Sequence, residues 1–230
     1  AVSKGEISSD IALVREMGAN ALRSVTGPHA QHLYNECDRL GVLAWVDFPF
    51  ARAPFLSDIP YYSTPRFEAN GLQQLHEIVL QNINHPSVAM WGVFSMLRGN
   101  SKQQMEYIRK LNSTAKKLDA SRPTVAMSNQ DGDINFITDL IVWQQAVGWE
   151  SGEVTDLDLW QGALRTNWSH LRQAICYGEG SNGARFVSTP KTCNAVAASA
   201  RQQKFHEGYS RLVDEDLFWG VWLNSMFDMG

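Results

Sequence analysis

The chain has 230 residues, 44% of them apolar, enough for one sizeable core and too few to suggest two. A net charge of −4 and a pI near 5.9 provide no electrostatic footprint for nucleic acid. No run of about 18 apolar residues offers a membrane span, and the opening AVSKGEISSD lacks the apolar stretch of a signal peptide.

In chain order, residues 8–18 place Ile11, Val14 and Met17 on one helical face, with Ser8 or Ser9 as the cap and Gly18 as the stop. Residues 20–25 (NALRSV) read as a short buried strand, followed by an amphipathic helix over 30–40 that ends at Gly41. GVLAWVDFP is the next strand, closed by Pro49, and residues 50–63 form an irregular loop. Thr64-Pro65, a capping residue before proline at the first helical position, opens a long helix to about residue 84. His85-Pro86 breaks it ahead of the strand VAMWGVF.

A helix over roughly 101–119 precedes TVAMSN, and the strand LIVWQQ occupies 140–145. A helix near 156–172, the strand ICYG at 175–178, a helix at about 194–213 and the strand FWGVWLNSMFD complete the chain. Seven apolar strands, six of them preceded by a helical segment, suit a parallel sheet covered on both faces. Regular alternation leaves two α/β architectures, a (β/α)8 barrel and a doubly wound sheet. No glycine-rich turn follows an early strand, which weighs against a dinucleotide-binding sheet.

Chemistry-bearing residues are sparse. Cys37, Cys176 and Cys193 have neither metal-ligand spacing nor disulfide density, and His29, His85, His170 and His206 form no HExxH-like pattern. Neither a metal nor a cofactor is expected. Eight tryptophans are many for this length, and aromatic platforms are what pyranose rings stack on. Sequons stand at Asn112 and Asn167.

Residues 84–96, NHPSVAMWGVFSM, closely resemble the stretch NHPSVxxWSLGNE that carries the acid/base glutamate in family-two glycoside hydrolases. The likeness continues in DIALVREMGANALRSVTGPH (10–29), LYNECDRLGVLAWVDFPF (33–50), DLIVWQQAVGWE (139–150), ICYGEGSNG (175–183) and HEGYSRLVDEDLFWGVWLNSMFDMG (206–230). Six segments in the right order imply a TIM barrel in this β-galactosidase and β-glucuronidase group. The seven visible strands are then strands two to eight, and residues 1–230 form a single partial barrel domain. The first strand and the β-sandwich domains that precede the barrel in this family are expected in a longer parent chain.

Retaining glycosidases use two carboxyl groups about 5 Å apart, one a nucleophile and one an acid/base. The resemblance places these roles at Met96 and Cys176, neither of which is a carboxylate. Other family positions fall on Thr26, Asp47, Ser95, Gln144 and Ala146, while the arginine survives as Arg23. Asp47 and Glu179 are the candidate relocated carboxylates, and Arg23, Ser95, Trp143, Gln144, Tyr177 and Trp222 are the candidate sugar contacts. The expected ligand is a β-linked sugar or oligosaccharide, with no nucleic-acid or membrane partner beyond the preceding domains. Two functions follow: a family-two hydrolase with a rebuilt site, or a glycan-binding or scaffolding pseudoenzyme. The family suggests a bacterial, periplasmic or secreted setting.

Overall fold

The computed structural model describes residues 2–25, 27–50, 64–97, 101–145, 147–148, 152–178, 195–213 and 217–224. The elements are α1 (Lys4–Glu16), β1 (Ala21–Ser24), α2 (Gln31–Leu40), β2 (Leu43–Asp47), α3 (Pro65–Asn82), β3 (Val88–Ser95), α4 (Lys102–Leu118), β4 (Thr124–Ser128), β5 (Leu140–Gln145), α5 (Leu157–Asn167), β6 (Gln173–Gly178), α6 (Ala195–Val213) and β7 (Phe218–Asn224). Strand order in the sheet is chain order, β1 to β7, with no crossover. That sequential order excludes the doubly wound alternative, in which the order reverses at a switch point.

Two compact units divide the chain, Ala1–Ile141 and Val142–Gly230. In the first, β1 pairs with β2, β2 with β3 and β3 with β4, all parallel. Irregularities at Ala44/Trp45 and Gly92/Phe94 shift the register of β3 against its neighbours. A small core forms between α1 and α2, where Ile11, Cys37 and Val42 are buried under Ile7, Val14, Leu22, Leu33 and Leu40. In the second unit β6 and β7 pair in parallel. Leu157, Ile175, Tyr177, Phe205, Tyr209 and Leu212 form its core.

Local signals set most boundaries. Thr64 caps α3 by accepting from the Phe67 amide at 3.1 Å, with Pro65 behind it. Gly41 ends α2 in the left-handed conformation, φ 67°. The start of α1 differs from expectation. Its cap is Ser3, which accepts from the Glu6 amide at 3.3 Å while the Glu6 carboxylate accepts from the Ser3 amide at 2.6 Å. Ser8 and Ser9 lie one turn inside, where Ser9 donates to the Gly5 carbonyl and Ser8 meets the His32 ring. Met17 is exposed at the helix end rather than sharing the buried face of Ile11. The fifth helix is also shorter than the sequence reading, stopping at Asn167.

The His85-Pro86 turn that aims β3 is fastened to α2 and to the α4–β4 connection. Asp38 accepts from the Ser87 amide at 2.8 Å and lies 2.6 Å from His85 Nδ1. Arg122 donates to the carbonyls of His85 and Val88 while pairing with Asp119 at 2.7 Å. Asp119 also receives the Trp91 indole at 3.0 Å, which seats that buried side chain against the end of α4. These contacts hold the N-terminal end of β3, and so the direction in which its C-terminal end points.

Candidate functional site

In barrels of parallel strands the site stands at the strand C-termini, and in the first unit one guanidinium organises that end. Arg23, on β1, donates to Asp47 Oδ2 through Nε at 3.0 Å and through Nη2 at 2.7 Å. Nη2 also donates to Ser95 Oγ at 2.9 Å, and Nη1 points at the Met127 sulfur at 3.0 Å. The guanidinium stacks over Trp45, 4.1 Å from the ring centroid. One side chain thereby ties the ends of β1, β2, β3 and β4 together.

Both members of the pair are withdrawn from solvent, the side chains being 9% and 2% exposed. A carboxylate engaged by a guanidinium fork serves as an ionised counter-charge, not as a proton donor. Gly92 makes the geometry possible. A Cβ there would stand 2.2 Å from Asp47 Oδ1 and 2.5 Å from the Trp45 indole nitrogen, so only glycine lets Trp45 and Asp47 lie against β3.

Met96 follows the last residue of β3. Its backbone amide donates to the Met127 carbonyl at 2.8 Å, and its φ of 48° is the one positive value among the described non-glycine residues. Left-handed backbone at a side chain with a Cβ is uncommon and is held by its surroundings. A thioether neither gives nor takes a proton in water, so this position supplies no acid/base group.

In the second unit Cys176 pairs in register with Trp222, which places both side chains on one face of β6 and β7. Tyr177 lies on the opposite face, stacked on Tyr209 at 4.3 Å and edge-on to Phe205 at 5.7 Å. Trp143 is buried, donating to Gln173 Oε1 at 2.8 Å beside Trp168. Gln144 is half-buried, and its Oε1 is shielded from solvent with no donor opposite among the described residues. Glu179, Thr26 and Ala146 lie outside the described residues.

Thus Arg23, Asp47 and Ser95 meet, Cys176 and Trp222 share a face, and Tyr177 and Trp143 are absorbed into packing. Trp45, Gly92 and Met127 complete the arginine cluster. Gly92 alone carried a sequence signal, as a glycine inside an apolar strand.

The cysteines give a direct check on accessibility. Cys37 is fully buried, and burial, with Asp38 and Glu36 nearby, pushes its thiol up to about 12. Cys176 is 2% exposed. Reactivity needs an accessible thiolate. Iodoacetamide at neutral pH is therefore expected to leave both unmodified in the folded protein and to alkylate both in denaturant, as read by peptide mass spectrometry. Rapid labelling of folded Cys176 would show an open thiol at the barrel mouth instead.

The chain has clear relatives. A β-glucuronidase of Bacteroides fragilis is 34% identical over 228 residues, covering 96% of this chain and 32% of the relative. Human β-glucuronidase is 29% identical over 125 residues, 53% of this chain and 18% of that protein. The chain thus spans about a third or less of the length of these curated relatives. Among solved structures, an FMN-binding β-glucuronidase from Facaelibacterium prausnitzii L2-6 superposes with a TM-score of 0.85 at 23% identity, covering 100% of this chain and 36% of that one. A Bacteroides uniformis β-glucuronidase does so with a TM-score of 0.80, also at 23% identity, over 98% of this chain and 28% of that one. These two show the fold: a TIM barrel. The family model for glycosyl hydrolases family 2, TIM barrel domain, matches residues 1–170, and the chain belongs to that family.

Proposed function

We propose that the protein carrying this chain recognises a β-linked glycan at the C-terminal ends of the barrel strands, without two-carboxylate retaining chemistry at the family positions. The observation that carries this reading is the fate of Asp47. It is the one carboxylate borne by strands β1 to β4, and it is bound into an ion pair with Arg23. Met96 and Cys176 supply no replacement. What remains suits binding: Trp222 offers an aromatic face beside Cys176. Domains preceding the barrel, where the parent protein has them, would complete the recognition surface.

The relatives' names favour a second reading, a hydrolase, for which Glu179 is the candidate carboxylate. Both are tested by assaying the full-length protein and its Glu179→Gln variant on aryl β-glucuronide, β-galactoside and β-glucoside, alongside calorimetric titration with the corresponding methyl glycosides. Binding without turnover is the expected result. Turnover abolished by Glu179→Gln would establish a rebuilt carboxylate site and sink the binding-only reading. Turnover indifferent to that change would place hydrolysis on another residue.

A further inference from the structure

The β4–β5 connection builds a concavity in the first unit, on its helix layer. A cleft of about 390 Å³ opens between α4 and the 3-10 turn Asp133–Phe136, lined by Arg109, Asn112, Asp133, Phe136 and Ile137. Its volume lies within the roughly 300–1,000 Å³ common for small-ligand sites. Asp139, two residues beyond Ile137, accepts from the Thr124 amide and hydroxyl at the start of β4, both at 3.0 Å. The cleft therefore stands toward the strand N-termini, away from the end that carries the arginine cluster.

Three polar side chains line it. Asn112 Nδ2 donates to the Ile137 carbonyl at 2.7 Å, which fixes the amide and turns Oδ1 the other way. That Oδ1 is shielded from solvent and meets no donor among the described residues, so the amide serves as a wall of the cleft. The same contact occupies the nitrogen that the sequon at Asn112 would glycosylate, whereas Asn167 is exposed. Arg109 and Asp133 are exposed on the rim, and neither is paired with another described side chain. Phe136 leaves 46% of its surface open beside them.

A donor fork and a carboxylate beside an exposed aromatic ring match one ligand chemistry well. A sugar hydroxyl both donates and accepts, and the C–H face of a pyranose lies flat on an aromatic ring. From this arrangement we infer that the cleft is a saccharide-binding site on the outer helix layer of the barrel. It stands on these side chains and does not depend on what the strand C-termini bind.

The test is calorimetric titration of the full-length protein with cellotetraose and with a hyaluronan tetrasaccharide, a neutral and a uronate-bearing β-linked probe. Phe136→Ala and Arg109→Ala are each expected to weaken binding of at least one probe about tenfold or more, the scale of about 1.4 kcal/mol of lost contact. Phe136→Trp retains it. Both positions are exposed, so thermal midpoints of all three variants should match wild type, which separates lost binding from lost folding. Equal binding by wild type and Phe136→Ala would assign any signal to the strand ends and overturn the inference. Absence of binding by either probe would overturn it as well.

Discussion

Arg23→Met is expected to lower the unfolding free energy by about 3–5 kcal/mol, the usual consequence of leaving one member of a buried ion pair behind. Asp47, 2% exposed at its side chain, would lose two hydrogen bonds from the guanidinium, Ser95 would lose one, and the Trp45 face would lose its stacked cation. Arg23→Lys keeps the charge but cannot reproduce the fork or the stacking, so it should fall between. Pairing Arg23→Met with Asp47→Asn should recover part of the loss, because the stranded charge is removed. Urea denaturation of wild type, Arg23→Met, Asp47→Asn and the double variant forms the necessary cycle. A single-mutant loss below about 1 kcal/mol, the range of exposed ion pairs, would mean that water reaches the cluster freely.

Gly92→Ala should be nearly as damaging although it adds one methyl group. The new Cβ would meet Asp47 Oδ1 at 2.2 Å, the Trp45 indole nitrogen at 2.5 Å and the Asp47 Cα at 3.0 Å. The first two can swing aside only by leaving Arg23, and the third is backbone. Overpacking of this kind commonly amounts to about 1–3 kcal/mol, and disturbing the ion pair adds to it. The urea midpoint should fall, and Trp45, fully buried in the wild type, should show red-shifted emission as it is pushed out. Alanine tolerated within about 0.5 kcal/mol, the scatter of neutral surface changes, would show that the strands part readily at this point.

The fold was largely legible because its determinants are local. The Thr64-Pro65 pair, Gly41 and the unbroken apolar strands each act over a few residues, and together they marked most elements. The start of α1 was not legible from serine alone, since Ser3, Ser8 and Ser9 are all competent caps. The choice is made by Glu6, three residues past Ser3, and by engagement of Ser8 with His32, 24 residues away. The site suffered more from this limit. Arg23, Asp47 and Ser95 could each be named, but their union spans 24 and 72 residues of sequence. Residue type likewise does not tell which way an aromatic faces. The Tyr177 ring lies against α6, and Cys176, its neighbour, takes the face shared with Trp222.

The arginine cluster also bears on how fast a charged ligand arrives. A guanidinium and a carboxylate held 2.7 Å apart carry no net charge, and at a distance they present only a dipole. The field of a dipole decays faster than that of a single charge, and salt at physiological strength screens what remains beyond about 8 Å. Strands β1 to β4 therefore exert little pull on an approaching uronate and little push on a neutral sugar. Any acceleration of encounter must come from charges elsewhere on the surface, and its dependence on ionic strength would report those charges and not this cluster.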